Sequence, residues 1–109
     1  METEDVVQTL GALAQETRLD VLRLLVQTGP QGLAAGEIAR RLDVPSPTLS
    51  FHLRAMLHAG LVRSKRCGRS LVYAANFEAL QRVVSFLTEK CCSSPPPPSS
   101  PGEARRTPG

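Results

Sequence analysis

Cys91 and Cys92 stand side by side where a helical pattern stops and a proline run begins, in FLTEKCCSSPPPPSSPG at residues 86–102. Thiolates are soft ligands whose natural partners are soft ions. Neighbouring residues on a helix point about 100° apart, so two thiolates on one ion require the helix to end or unwind there. The serines and prolines that follow Cys92 suit such an ending. The remaining cysteine, Cys67, falls in a predicted two-residue turn. An odd number of cysteines, two of them adjacent, does not make a disulfide framework. In a reducing compartment all are free thiols, open to metal or redox chemistry. His52 and His58, six apart, lack metal-ligand spacing.

A second set of residues is basic. From Arg40 to Arg69 there are seven Lys and Arg against Asp43 alone, whereas the N-terminus carries Glu2, Glu4 and Asp5 and the whole chain has a net charge of only +3. Positive charge gathered into one segment marks a surface that meets polyanions. Thr48, Ser50, His52 and Arg54 are assigned to the outward face of the helix predicted in SPTLSFHLRAMLHAGLV, where short hydroxyls and an arginine bond phosphates and base edges. Phe51 is assigned to the core. Lys65, Arg66 and Arg69 flank a hairpin turn and are assigned to phosphate contact.

These residues need elements to position them. EDVVQTLGALA, residues 4–14, has Val6, Val7, Leu10 and Leu13 at helical spacing, with acids early, where the helix dipole favours them. In QETRLDVLRLLVQTG the apolar stripe is Leu19, Leu22, Leu25 and Val26, widened by Val21 and Leu24, and Gly29-Pro30 ends the helix. LAAGEIARRLDV reads as a short helix around Ile38, Ala39 and Leu42. The next helix takes Ser46 as N-cap, Pro47 at its first position, Leu49, Leu53, Met56 and Leu57 inward, and Gly60 as its stop. Two short helices joined by a tight turn form a helix-turn-helix pattern. LVRSKRCGRSLVYAA then reads as a β-hairpin about Cys67-Gly68, and NFEALQRVVSFLTEK returns to helical spacing through Phe77, Leu80, Val83, Val84 and Leu87.

The expected fold is therefore mainly α with a β-hairpin, a winged helix-turn-helix of order ααααββα. Residues 1–92 form the DNA-binding and dimerisation domain, and residues 93–109 are a disordered proline-rich tail. About ninety residues bury only a modest core, which a partner subunit would complete. No apolar run approaches the roughly 20 residues of a membrane span, and the start METEDVV is unlike a signal peptide, so a soluble cytoplasmic protein is expected. A thiol enzyme would need an oxyanion-cradling loop beside an activated nucleophile. EKCCSSPPPP supplies no such loop and no histidine lies near it in sequence, so enzymatic activity is not expected.

Order, spacing and residue types together resemble the ArsR/SmtB family of metal- and metalloid-responsive repressors. LAQETRLDVLRLL resembles the family's second helix, and GEIARRLDVPSPTLSFHLRAMLHAGLVRSKRCGRSLVYAA its helix-turn-helix and wing, within a similarity covering residues 5–92. The resemblance implies a bacterial, DNA-associated homodimer joined through the first and last helices, here by Val6, Leu10, Leu13, Leu80, Val84 and Leu87. It also implies binding to an inverted-repeat operator in double-stranded DNA, with release by an inducer and no cofactor required for folding. There are departures. The cysteine motif of many arsenic and cadmium sensors is missing from GLAAGEIA, and the last helix lacks the histidines of zinc sensors. Cys91-Cys92 resembles the pair that some arsenic-responsive members carry after the last helix, which implies a trivalent arsenic species as inducer. Two thiolates suit an organoarsenical, or arsenite completed by an external thiol; a third thiolate from Cys67 would have to come from another protomer. The alternative is a redox sensor of the same fold, its cysteines closing to a disulfide.

Overall fold

Leu25, Ile38, Leu49, Leu53, Met56 and Leu61 are at most 1% exposed and anchor one continuous core. Each contributes roughly 1.5–3 kcal/mol by leaving water. The computed structural model describes residues 2–89; Cys91, Cys92 and the predicted tail 93–109 lie outside the described residues.

The chain runs α1 (Thr3–Leu13), α2 (Glu16–Thr28), β1 (Leu33–Ala34), α3 (Ala35–Leu42), α4 (Ser46–His58), β2 (Val62–Cys67), β3 (Ser70–Ala75) and α5 (Phe77–Thr88). This is the expected winged helix-turn-helix with one added strand. β1, only two residues long, pairs antiparallel with β3, so the sheet order is β1-β3-β2. Gly32 allows this pairing: its φ is +75°, and a Cβ there would stand 2.3 Å from the Tyr73 carbonyl oxygen.

Local chemistry sets the element ends. The Gln15 side chain accepts from the Arg18 amide at 2.9 Å and starts α2, and Gly29 at φ +102° ends it. Within α2 the buried residues are Val21, Leu22 and Leu25; Leu19 and Val26, expected in the stripe, are 44% and 42% exposed. α3 stops at Asp43, the one described non-glycine residue at positive φ, 55°. Its successor Val44 donates to the Ala39 carbonyl at 3.0 Å, which closes the helix-turn-helix turn.

α4 begins with Ser46 inside the helix and Pro47 in its first turn, and no side chain caps it, contrary to the expected Ser46 cap. Its end is a full Schellman closure. Gly60, at φ +78°, donates to Leu57 at 3.0 Å and Leu61 donates to Met56 at 2.9 Å. Asn76 then joins three elements. Its Oδ1 accepts from the Ala79 amide at the start of α5, its Nδ2 donates to Gly60 O at 2.9 Å, and its own amide donates to Leu61 O at 2.9 Å.

Candidate nucleic-acid interface

α4 divides cleanly into two faces. Leu49, His52, Leu53 and Met56 are buried, whereas Thr48, Ser50, Phe51 and Arg54 are exposed. Three of the four contact residues expected on this helix, Thr48, Ser50 and Arg54, thus share the outward surface.

His52 does not. It is 8% exposed, and its Nδ1 accepts from Arg18 Nε at 3.0 Å. Its ring lies three residues from Leu49 and four from Met56, on the inward stripe, where it helps to position the helix. Burial first, and the Arg18 charge second, hold His52 below the ordinary histidine range, which keeps Nδ1 free to accept. Arg18 also donates from Nη1 to the Ala12 carbonyl at 3.2 Å, tying the end of α1, α2 and α4 together. Phe51 is the opposite correction: assigned to the core, it is 59% exposed.

The wing is a six-pair antiparallel ladder from Val62↔Ala75 to Cys67↔Ser70. Its turn is Gly68-Arg69, one residue later than expected, with positive φ only at Gly68, the pattern of a type II′ turn. Cys67 is therefore the last residue of β2, exposed, and not a turn residue. Strand alternation separates the expected phosphate contacts. Arg66 shares a face with Val62 and Tyr73, the side packed on the helices, while Lys65 lies on the other side, lining a depression of about 410 Å³ between the wing and the start of α5. Arg69 is carried by the turn itself.

The basic segment is less free than its sequence suggests. Arg41 and Arg40 both bond Glu37, holding its carboxyl below the usual range, and Arg63 pairs with Glu78 at 3.0 Å. Arg54, Lys65, Arg66 and Arg69 have no acidic partner among the described residues. On α2, Arg23 also lacks an acidic partner among the described residues, and Arg18 bonds His52 and the Ala12 carbonyl instead; the other unpaired cations are those of α4 and the wing, where a polyanion would be met.

Of the six residues expected at a subunit contact, Leu10, Val84 and Leu87 are 39%, 54% and 61% exposed. Val6, at 3%, is turned into its own protomer and leaves that set; Leu13 and Leu80 are half-buried against the protomer's core. Val7, at 62%, joins the exposed group. Among the described residues no three His, Cys, Asp or Glu side chains gather closely enough to hold a metal ion. No helix of the described residues is long and apolar enough to cross a membrane.

Sequence reasoning missed Arg18, Asn76 and the exposure of Phe51. Helical period alone could have found the last, because residue 51 lies about 200° around the helix from Leu49. The pairing of Arg18 with His52 spans 34 positions and leaves no periodic trace.

Residues 13–65 match the family of helix-turn-helix domains. The fold is similar to that of an ArsR-like transcriptional regulator from Rhodococcus sp. RHA1, 31% identical, with a TM-score of 0.69 over 77% of this chain and 76% of that one. It is also similar to a homodimeric winged helix-turn-helix DNA-binding domain from Mycobacterium bovis, described as a possible ArsR-family regulator, at 30% identity and a TM-score of 0.65 over 80% and 81%. In sequence it is 29% identical over 89 residues to the HTH-type transcriptional regulator YgaV of Escherichia coli (strain K12), spanning 82% of this chain and 88% of that one. With 31% identity and a TM-score of 0.69 to an ArsR-like regulator across about three quarters of both chains, this chain belongs to the ArsR family of transcriptional regulators.

Proposed function

We propose that the chain is a homodimeric repressor that binds operator DNA through the outward face of α4 and the wing, and leaves it when Cys91 and Cys92 take up a trivalent arsenical. The observation that carries the DNA-binding part is the clustering of unpaired cations on these two elements: Arg54 on α4, and Arg66 and Arg69 on the wing. Thr48 and Ser50, exposed beside Arg54, supply short hydroxyls for the same surface. A helix of this kind enters the major groove while the wing reaches the flanking phosphates. Dimerisation is supported by Val7, Leu10, Val84 and Leu87, apolar and exposed on the first and last helices.

The inducer reading rests on the paired thiols that follow Glu89, the last described residue, by two and three positions. Their route to DNA is through α5. The first turn of that helix is bonded through Asn76 to Gly60 and Leu61, the turn that ends α4. Any shift of α5 on binding an arsenical is therefore delivered to the recognition helix. The inducer must bind the DNA-free arrangement more tightly than the DNA-bound one, and the difference sets the coupling.

Fluorescence anisotropy of the reduced protein on duplex DNA tests both halves. Arsenite, methylarsenite and zinc are titrated in, with wild type, Cys91→Ser/Cys92→Ser and Cys67→Ser. Release by an arsenical, lost in the paired variant and kept in Cys67→Ser, supports the two-thiolate sensor. Loss in Cys67→Ser as well makes the site three-coordinate. Release by mild oxidant alone overturns the arsenical in favour of a redox input.

A further inference from the structure

Phe51 is the one large apolar side chain left exposed on α4 among the described residues, at 59%. It stands near the middle of the outward face, between Pro47 and Arg54 and one turn from each, opposite the Leu49–Leu53–Met56 stripe. Phe51 is not part of the protomer's core cluster, and Thr48, Ser50 and Arg54 beside it on this face are polar or cationic.

The ring is held in place. The Arg18 guanidinium sits over it, with Cζ 5.8 Å from the ring centroid, and the His52 ring meets it edge-on at 5.6 Å. Arg18 is itself fixed by its bonds to His52 Nδ1 and the Ala12 carbonyl. A cation over an aromatic face is attractive and orients the ring. Phe51 is thus aimed outward by groups that belong to three helices.

Resting on the DNA-binding reading above, we infer that Phe51 is a specificity-determining residue that recognises the 5-methyl group of thymine in the major groove. Phenylalanine carries no hydrogen-bonding group, so it cannot read donors and acceptors. The one apolar feature that a base pair presents in that groove is the thymine methyl. The neighbouring Arg54, Thr48 and Ser50 then supply the polar part of the readout, and Phe51 makes the operator depend on thymine at the base step it covers. A second copy of the chain or another protein seated on Phe51 would be the competing occupant; the unpaired Arg54 one turn away favours the polyanion.

The test begins with duplexes recovered by the full chain from a randomised pool. The recovered duplex is resynthesised with deoxyuridine for thymidine at each half-site position in turn, which removes one methyl group and changes no hydrogen bond. Wild type should lose about fourfold in affinity for each contacted methyl, as expected for one buried methyl-sized group. Phe51→Ala should bind thymine and uracil duplexes equally, and Phe51→Leu should keep part of the difference. Circular dichroism and sedimentation of each variant report fold and subunit state. Equal binding of both duplexes by wild type overturns the inference and leaves DNA binding standing. An unchanged thymine-to-uracil ratio in Phe51→Ala also overturns it, since another residue then touches the methyl. A change of subunit state in Phe51→Ala reassigns the residue to a protein contact. Recovery of no duplex even at low salt brings down the DNA-binding reading itself, and this inference with it.

Discussion

Leu25, Ile38 and Met56, on the central helices, have no exposed surface, whereas Val84 and Leu87 on α5 are 54% and 61% exposed. Both groups are aliphatic and both sit at helical spacing. The central residues close against one another within one chain; Val7, Leu10, Val84 and Leu87 find no such partner among the described residues. The protomer therefore has a finished core beneath α4 and an unfinished apolar surface on α1 and α5. A finished core fixes the reading surface, and an unfinished one is where a second protomer would set the distance between two such surfaces. Mutations at the two places should differ in kind as well as size.

The largest effect belongs to the centre. Leu25→Ala removes three carbons from a site with no access to solvent, and should lower unfolding free energy by about 2–5 kcal/mol in urea titration. DNA binding should fall only to the extent that the protein unfolds. At the other place, Val84→Lys with Leu87→Lys should change the stability of the isolated protomer by no more than about 0.5 kcal/mol. The same pair should raise the dimer dissociation constant by roughly 30-fold or more, measured by sedimentation. Unfolding by the double lysine variant would break the comparison, because it would place these residues in the protomer's core.

Much of this division was legible in the sequence where period and composition agreed. Leu49, Leu53 and Met56 at i, i+4 and i+7 gave the inward stripe of α4, and Gly60 gave its end. The winged layout followed from the change of period at residue 61. What was not legible depended on partners distant in sequence or on which side of an element faces in. Glu37, by contrast, three and four residues before Arg40 and Arg41, was open to helical spacing as the partner of both; counting charge from residue 40 onward passed over it. That Lys65 and Arg66 project on opposite sides follows from strand alternation, but which of the two sides packs on the helices does not. Helical period would have set Phe51 outward and His52 on the inward stripe, against their residue types; what the sequence hides is Arg18, 34 positions away, which supplies the buried imidazole with a donor. β1, at two residues, is too short to carry any period.

A smaller effect comes from the turn between α3 and α4, which fixes how the recognition helix is presented. Asp43 holds φ 55° with a side chain that disfavours it, and places a carboxylate at the negative end of α3. Asp43→Gly should relieve both, at the cost of a more flexible unfolded chain, for a net gain of about 0.5–1 kcal/mol. Asp43→Val should instead lose about 1–2 kcal/mol, because a β-branched residue resists that conformation. Thermal melts of the two variants on either side of wild type would sharpen the view that α4 rests on a closed and specific framework; equal melts would show that the turn tolerates any residue.

The smallest effect is a dependence on pH that should appear at the centre of the molecule and not at its ends. His52 is buried, and its folded-state pKa lies below the ordinary 6.5, first through burial and second through Arg18. The unfolded chain therefore takes up the proton at a higher pH than the folded one. Stability is fully present above about 6.5 and declines as pH falls from there toward the folded value, below which this contribution is flat. Glu37 has the opposite chemistry and a separate window: its carboxyl is held down by Arg41 and Arg40, so its contribution is present above 4.5 and lost only at lower pH. Between pH 7 and 5 the wild-type melting temperature should thus fall more than that of His52→Asn, whose amide oxygen can still accept from Arg18 Nε without titrating. Because protonated His52 cannot accept that bond, duplex affinity should weaken over the same interval in wild type and less in the variant. Parallel curves would mean that the Arg18–His52 bond contributes nothing to how α4 is held, and the contrast between a fixed centre and open ends would then rest on apolar packing alone.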